Sequence, residues 1–173
     1  MSLHDVFNRL ERHIEERYGI PVRVRDVPNP FTGDLDGAEI HVDYDEDIES
    51  AVFIVAHLFG HTVQWNTSAD ARELGYRLYP NPSEALVARL IAYEREACEY
   101  SLQLFHDAGV THLDQWLADY AACDLAYLLD FYRTGTRRPF RSYWTTGAPL
   151  LTARPIPPFT PTKWVSRWTG IVV

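Results

Sequence analysis

Two histidines carry the first chemical signal in this chain. His57 and His61 lie four residues apart within Val55-Ala56-His57-Leu58-Phe59-Gly60-His61-Thr62-Val63-Gln64-Trp65. On a helix that spacing puts both imidazoles on one face, a turn apart, where they can share one metal ion. Ile48, Ala51, Val52, Phe53, Ile54, Val55, Ala56, Leu58 and Phe59 make the helix apolar nearly all round, so it is expected to be buried on most sides. Buried imidazoles need polar partners, and a metal is one that demands neutral, oriented rings. Gln64 falls on the same face. The plain alternative is a pair of packed or surface histidines.

The stretch resembles the zincin type of zinc metallopeptidase, which carries His-Glu-x-x-His on such a helix. In that family the histidines bind zinc and the glutamate takes the proton from the attacking water. Leu58 stands where the glutamate belongs, so the metal-binding half of the motif is present and the general base is missing. Gly60 fits the resemblance, because a residue without a side chain beside a ligand lets a neighbouring element approach closely. The later run Glu94-Arg95-Glu96-Ala97-Cys98 is similar to the Glu-x-x-Ala-Asn/Asp helix of the ImmA/IrrE group of zincin-like proteins. Carried over by position, Glu94 is the third ligand. Cys98 replaces the usual Asn or Asp, and Tyr100-Ser101 replaces Phe-Ala, which leaves Glu96 and Glu99 as substitutes. The resemblance covers about residues 38 to 106.

The resemblance implies a zinc site of His57, His61 and Glu94 acting on a peptide or protein. With residue 58 unable to act as base, Glu96, Glu99 or another carboxylate would have to accept the proton, and Tyr76, Tyr93 or Tyr100 would stabilise an oxyanion. The other reading is a catalytically inactive pseudopeptidase, a regulatory or protein-binding module. The ImmA/IrrE group permits it, being linked to bacterial stress response and the regulation of repressors.

A chain of 173 residues, 46% hydrophobic and 23% charged, suffices for one domain with a real core. The expected division is a helical and sheet body over 1–133 and a basic, Pro- and Trp-rich tail over 134–173. No apolar stretch is long enough to span a bilayer, and Met1-Ser2-Leu3-His4-Asp5 does not open a signal peptide, so a cytoplasmic protein with no membrane partner is expected. Cys98 and Cys123 read as reduced, buried thiols.

The net charge of −8 conceals an asymmetry: all 24 acidic residues lie at or before Asp130, whereas Arg133, Arg137, Arg138, Arg141, Arg154, Lys163 and Arg167 follow with no acid among them. The tail is expected to dock on its own acidic body, with Trp144, Trp164 and Trp168 as anchors. The acidic body argues against nucleic acid as a partner.

The elements that must position the site follow from periodicity. Leu3, Val6, Phe7, Leu10, Ile14 and Tyr18 form the apolar face of an N-terminal helix that Gly19 ends. Val22 to Arg25 and Ala38 to Asp43 alternate as strands, so that Arg23 and Arg25 would meet Glu39 and Asp43 if the two pair. Residues 28–37 read as an exposed loop and His41 as a surface residue on a polar strand face, although the zincin resemblance would place it at a cleft. The acids of 43–49 lack an EF-hand's glycine and final glutamate, which excludes calcium, and they suit the start of the metal helix. Residues 66–70 read as a loop or turn, and 74–79 show no period.

Asn81-Pro82-Ser83-Glu84 has the form of a helix start capped by Asn81. Leu86, Leu90, Tyr93, Ala97, Tyr100 and Leu104 make that helix's stripe, with Glu94 beside it and Glu96 turned away. Thr111 has the spacing of another cap, followed by Leu113, Trp116, Leu117, Tyr120, Ala121, Asp124, Tyr127, Leu128 and Phe131, a helical stripe with one polar interruption. His106 and His112 read as surface residues at the junction. From Arg137 the prolines forbid long helices, and the tail reads as an extended strap over the body. The fold class expected is α+β and zincin-like: a small N-terminal antiparallel or mixed sheet packed on about four helices.

Overall fold

Ser2 opens the first helix, α1 (Leu3–Tyr18), by accepting the Asp5 amide while Asp5 returns the bond to the Ser2 amide, and Gly19 closes it in the left-handed conformation at φ 67°. The computed structural model describes residues 1–75, 77 and 79–166. After α1 come strands β1 (Val22–Arg25), β2 (Gly33–Leu35) and β3 (Ile40–Asp43), then helices α2 (Ile48–Thr67), α3 (Ala69–Gly75), α4 (Glu84–Asp107) and α5 (Asp114–Thr134), and a 3-10 turn at Phe140–Tyr143. The fold is α+β. Tyr76 and Trp168, singled out above, lie outside the described residues, as does Arg167.

The sheet is mixed, in the order β1-β3-β2. β1 runs parallel to β3, with Arg23 opposite His41 and Arg25 opposite Asp43, and β2 is antiparallel to β3. Arg23 Nε approaches Glu39 at 3.7 Å, whereas Asp43 accepts the Val27 and Asp45 amides at 2.9 and 2.8 Å. Two sequence expectations fail here. Only residues 28–30 of the expected exposed loop are exposed, and 33–37 are buried. Gly33 allows this, because a Cβ there would come within 2.7 Å of Leu58 Cδ1 and 2.9 Å of the His41 carbonyl. His41, expected at the surface, is buried because β3 is the central strand, and its Nε2 meets Glu39 at 2.9 Å.

α2 is the axis of the core, with every residue from Ala51 to Trp65 buried. Asp47 caps it by accepting the Ser50 amide at 2.8 Å, as the acidic start of the helix suggested. The expected loop at 66–70 is instead nearly continuous helix. Ser68 donates its amide to Gln64 at the end of α2, and its Oγ accepts the Ala71 amide at the start of α3. α4 starts two residues later than Asn81 implied: Asn81 takes φ 52°, and Ser83 is the cap, accepting from Leu86 N. Thr111 does not cap α5; the preceding Leu113 offers no side-chain cap, and half-buried His106 holds Asp114 at 3.0 Å. His112 is exposed, as expected.

Beyond α5 the chain lies on the body. Phe140, Trp144, Leu151, Ala153, Ile156, Phe159 and Val165 pack against the main core. Arg141 reaches Glu49 at 2.5 Å and Arg154 reaches Glu99 at 2.8 Å. Trp144 packs edge-on to Tyr120, and Trp164, 42% exposed, lies under the Arg72 guanidinium at 3.6 Å. Asn66 Oδ1 accepts from Thr162 N at 3.0 Å and from Trp164 Nε1 at 3.1 Å. Cys98 and Cys123 are both free and buried. No described helix is long and apolar enough to cross a membrane.

Candidate metal centre

Helix α4 crosses α2 at Gly60, where backbone meets backbone. A Cβ on Gly60 would stand 2.8 Å from the Ala97 carbonyl carbon and overlap its oxygen, so only glycine permits this approach. The approach carries Glu94 to the histidine face of α2. His57 Nε2, His61 Nε2 and Glu94 Oε2 then form a triangle, each atom 3.0 Å from the other two. All three residues are buried, His57 at 1% exposure, His61 at 4% and Glu94 at 8%. The group has the composition and closeness of a metal site.

The surrounding bonds decide where the hydrogens go. Gln64 Nε2 donates to the Tyr93 carbonyl at 2.9 Å, which turns Gln64 Oε1 toward His61 Nδ1 at 2.8 Å. A carboxamide oxygen only accepts, so His61 Nδ1 carries the hydrogen, and the neutral ring presents a lone pair at Nε2. On His57 the outward Nδ1 faces Cys98 Sγ at 3.5 Å. Burial pushes the Cys98 thiol well above its usual range, so it stays a neutral thiol at the rear of the ring rather than a ligand. Phe53 stacks on His57 with centroids 5.2 Å apart, and Tyr93 on His61 at 4.4 Å. Both rings are held by packing and by their outer nitrogens, the arrangement that orients ligating imidazoles.

With neutral rings and an ionised Glu94, three mutual 3.0 Å contacts share at most one hydrogen, the one His57 can bring. Converging lone pairs in a dry interior repel unless a cation joins them. Ligand atoms around a tetrahedral zinc, bound at about 2.0–2.1 Å, stand about 3.3 Å from one another, so the triangle fits such an ion to within a few tenths of an ångström. Glu94 is poised to supply the negative charge. Burial alone would raise its pKa; in the metal-free site the positive charge of a protonated His61 and the hydrogen bonds of the two histidines outweigh that and hold it below the usual carboxylate range, and a bound cation would take the place of that charge.

Sequence reasoning missed a fourth group. Asp124 of α5 brings Oδ2 to 4.0 Å from His57 Nε2, with its side chain only 16% exposed. Burial, reinforced by the charge of Glu94 and opposed by His57, raises its pKa to about 7. Its one sign in the sequence is the polar interruption of the α5 stripe. Glu96, Glu99 and Tyr100, the candidates for catalysis, are drawn instead to Arg154. Glu99 binds it at 2.8 Å, Glu96 stands 3.9 Å away, and the Tyr100 ring lies 5.8 Å beneath its guanidinium. Tyr93 gives its hydroxyl to Trp65 as acceptor at 2.9 Å. Leu58 is fully buried on the side of α2 that faces β2.

Comparison with protein families, with characterised proteins and with solved structures finds no match to this chain.

Proposed function

We propose that this chain is a zincin-like metal-binding protein, related to zinc metallopeptidases, that holds zinc through His57, His61 and Glu94 and works as a pseudopeptidase, a regulatory or protein-binding module. The observation that carries the reading is the buried triangle of 3.0 Å contacts between two imidazole nitrogens and a carboxylate oxygen. Bound there, zinc supplies the positive charge that the converging lone pairs lack and acts as a Lewis acid toward any further ligand. Gln64 and Cys98 address the outer ring nitrogens, Phe53 and Tyr93 fix the ring planes, and the crossing at Gly60 sets the reach of Glu94.

Chemistry at residue 58 argues against hydrolysis. Leu58 has no proton-accepting group, and Glu96 and Glu99 are engaged with Arg154. General-base assistance is worth about 10²–10⁴-fold, and its loss leaves little peptidase activity. Peptide-bond hydrolysis is the second reading, favoured by one observation: the further buried carboxyl of Asp124 stands beside His57 and would have to take the base's place.

Metal analysis of protein purified without added metal, alongside His57→Ala and Glu94→Ala, tests the proposal. The expected result is close to one zinc per chain, lost in both variants, with no cleavage of an unstructured protein substrate. A wild-type protein that stays metal-free after incubation with zinc would overturn it, and cleavage that disappears in Asp124→Asn would establish the second reading.

A further inference from the structure

A tetrahedral site built from three protein atoms has a fourth position, and the direction from which it is filled separates a closed site from an open one. On the face approached by α5, the Asp124 carboxylate stands 4.0 Å from His57 Nε2. From His57 that is about 0.7 Å beyond the separation of two atoms sharing a zinc, and because the carboxylate stands outside the group of atoms that lie within 4.8 Å of one another, a side-chain rotation has to carry it inward. Among the described residues Asp124 makes no hydrogen bond, and its one ion-pair contact is His57. A mostly buried carboxyl without a donor is costly, and α5 nevertheless places it inside an otherwise apolar stripe between Tyr120 and Tyr127.

Charge gives a second, independent argument. Two neutral imidazoles, one carboxylate and a divalent cation leave a net charge of about +1 in a site whose residues are all buried, and a second carboxylate removes it. We propose that Asp124 is the fourth protein ligand of the centre, closing a neutral site of two histidines, Glu94 and Asp124 with no position left for a substrate. The inference rests on the metal-binding reading of His57, His61 and Glu94 and deepens it. The ion then ties α5 to α2 and α4 and has a structural role.

Cobalt(II) loaded in place of zinc tests the assignment through its visible absorption, because an open position admits azide and moves the bands whereas a closed one does not. In wild type the spectrum should be that of a four-coordinate ion and indifferent to azide. Asp124→Asn should still take up cobalt, at least about tenfold more weakly, and should acquire an azide response. If azide shifts the wild-type bands, the fourth position is open and the assignment falls while the three-residue site stands. That arm needs no variant to fold. If wild type binds no cobalt at all, the three-residue site falls, and the fourth ligand with it.

Discussion

Gly60 and Ala97 are the point at which α2 and α4 touch without an intervening side chain. Because Gly60 directly precedes His61 and Ala97 lies three residues after Glu94, their separation sets the size of the ligand triangle. Gly60→Ala must push the helices apart or distort one of them, since the obstructing atoms are backbone. The expected cost is about 1–3 kcal/mol in stability. Zinc affinity should fall further than stability does, a comparison that denaturant unfolding and competition with a chelating dye would make directly.

Gln64 bridges His61 and the Tyr93 carbonyl. In Gln64→Leu both partners lose their bond inside the core, which is expected to cost about 1–3 kcal/mol. Zinc affinity should drop about 10- to 100-fold, because His61 is no longer held in the tautomer that turns its lone pair inward. Calorimetric zinc titration of the folded variant reads the second effect separately from the first.

Restoring a glutamate at residue 58 should not restore a peptidase. Leu58 is wholly buried, and its Cδ1 lies against Gly33 of β2. A carboxylate there would be buried without a partner, and Leu58→Glu is expected to lose about 3–5 kcal/mol. Urea unfolding together with an assay on an unstructured protein would check both statements. A stable variant that cleaves the substrate would mean that the face beside β2 opens.

The metal-free protein should become less stable as pH rises from about 4 to 7. The Asp124 carboxyl has an ordinary value of 3.8 and is raised to about 7 in the fold. Over that interval the native state holds a proton that the unfolded chain has released, so stability falls with rising pH. Glu94 has the opposite sign: its pKa is lowered from 4.5, so its contribution is complete above pH 4.5 and is lost in more acid solution. The Asp124 contribution to metal-free stability should therefore decline by on the order of 1–4 kcal/mol from pH 4.5 toward neutrality, and Asp124→Asn removes that contribution. Urea unfolding of chelator-treated protein at pH 4.5, 6 and 7.5 measures it.

The three-residue group was legible because its signals are local or motif-like: a four-residue histidine spacing on an apolar helix and a Glu-x-x-Ala run on another. Asp124 was not, since one acid in an otherwise apolar stripe gives no hint of which neighbour it faces. β2 escaped for a similar reason. Gly33-Asp34-Leu35 sits in a segment full of turn formers and becomes a strand because β3 offers it an edge and Leu58 a surface. His41 was misjudged because alternation identifies a strand without saying that both of its faces are covered. Asn81 and Ser83 were both chemically able to cap α4, and the left-handed turn at Asn81 decided between them.

The segment after α5 grips α2 at both ends: Arg141 holds Glu49 across 92 residues of chain, and Thr162 and Trp164 hold Asn66 across 96 and 98. Bonds that close loops of this length carry a larger entropic cost and are the slower ones to form, so the helices are expected to assemble before the clasp is fastened. Interactions absent from the folding transition state slow unfolding without hastening folding. The clasp is therefore expected to act chiefly on the lifetime of the native state, so that contacts at Glu49 and Asn66 govern how often the buried group of His57, His61 and Glu94 is laid open.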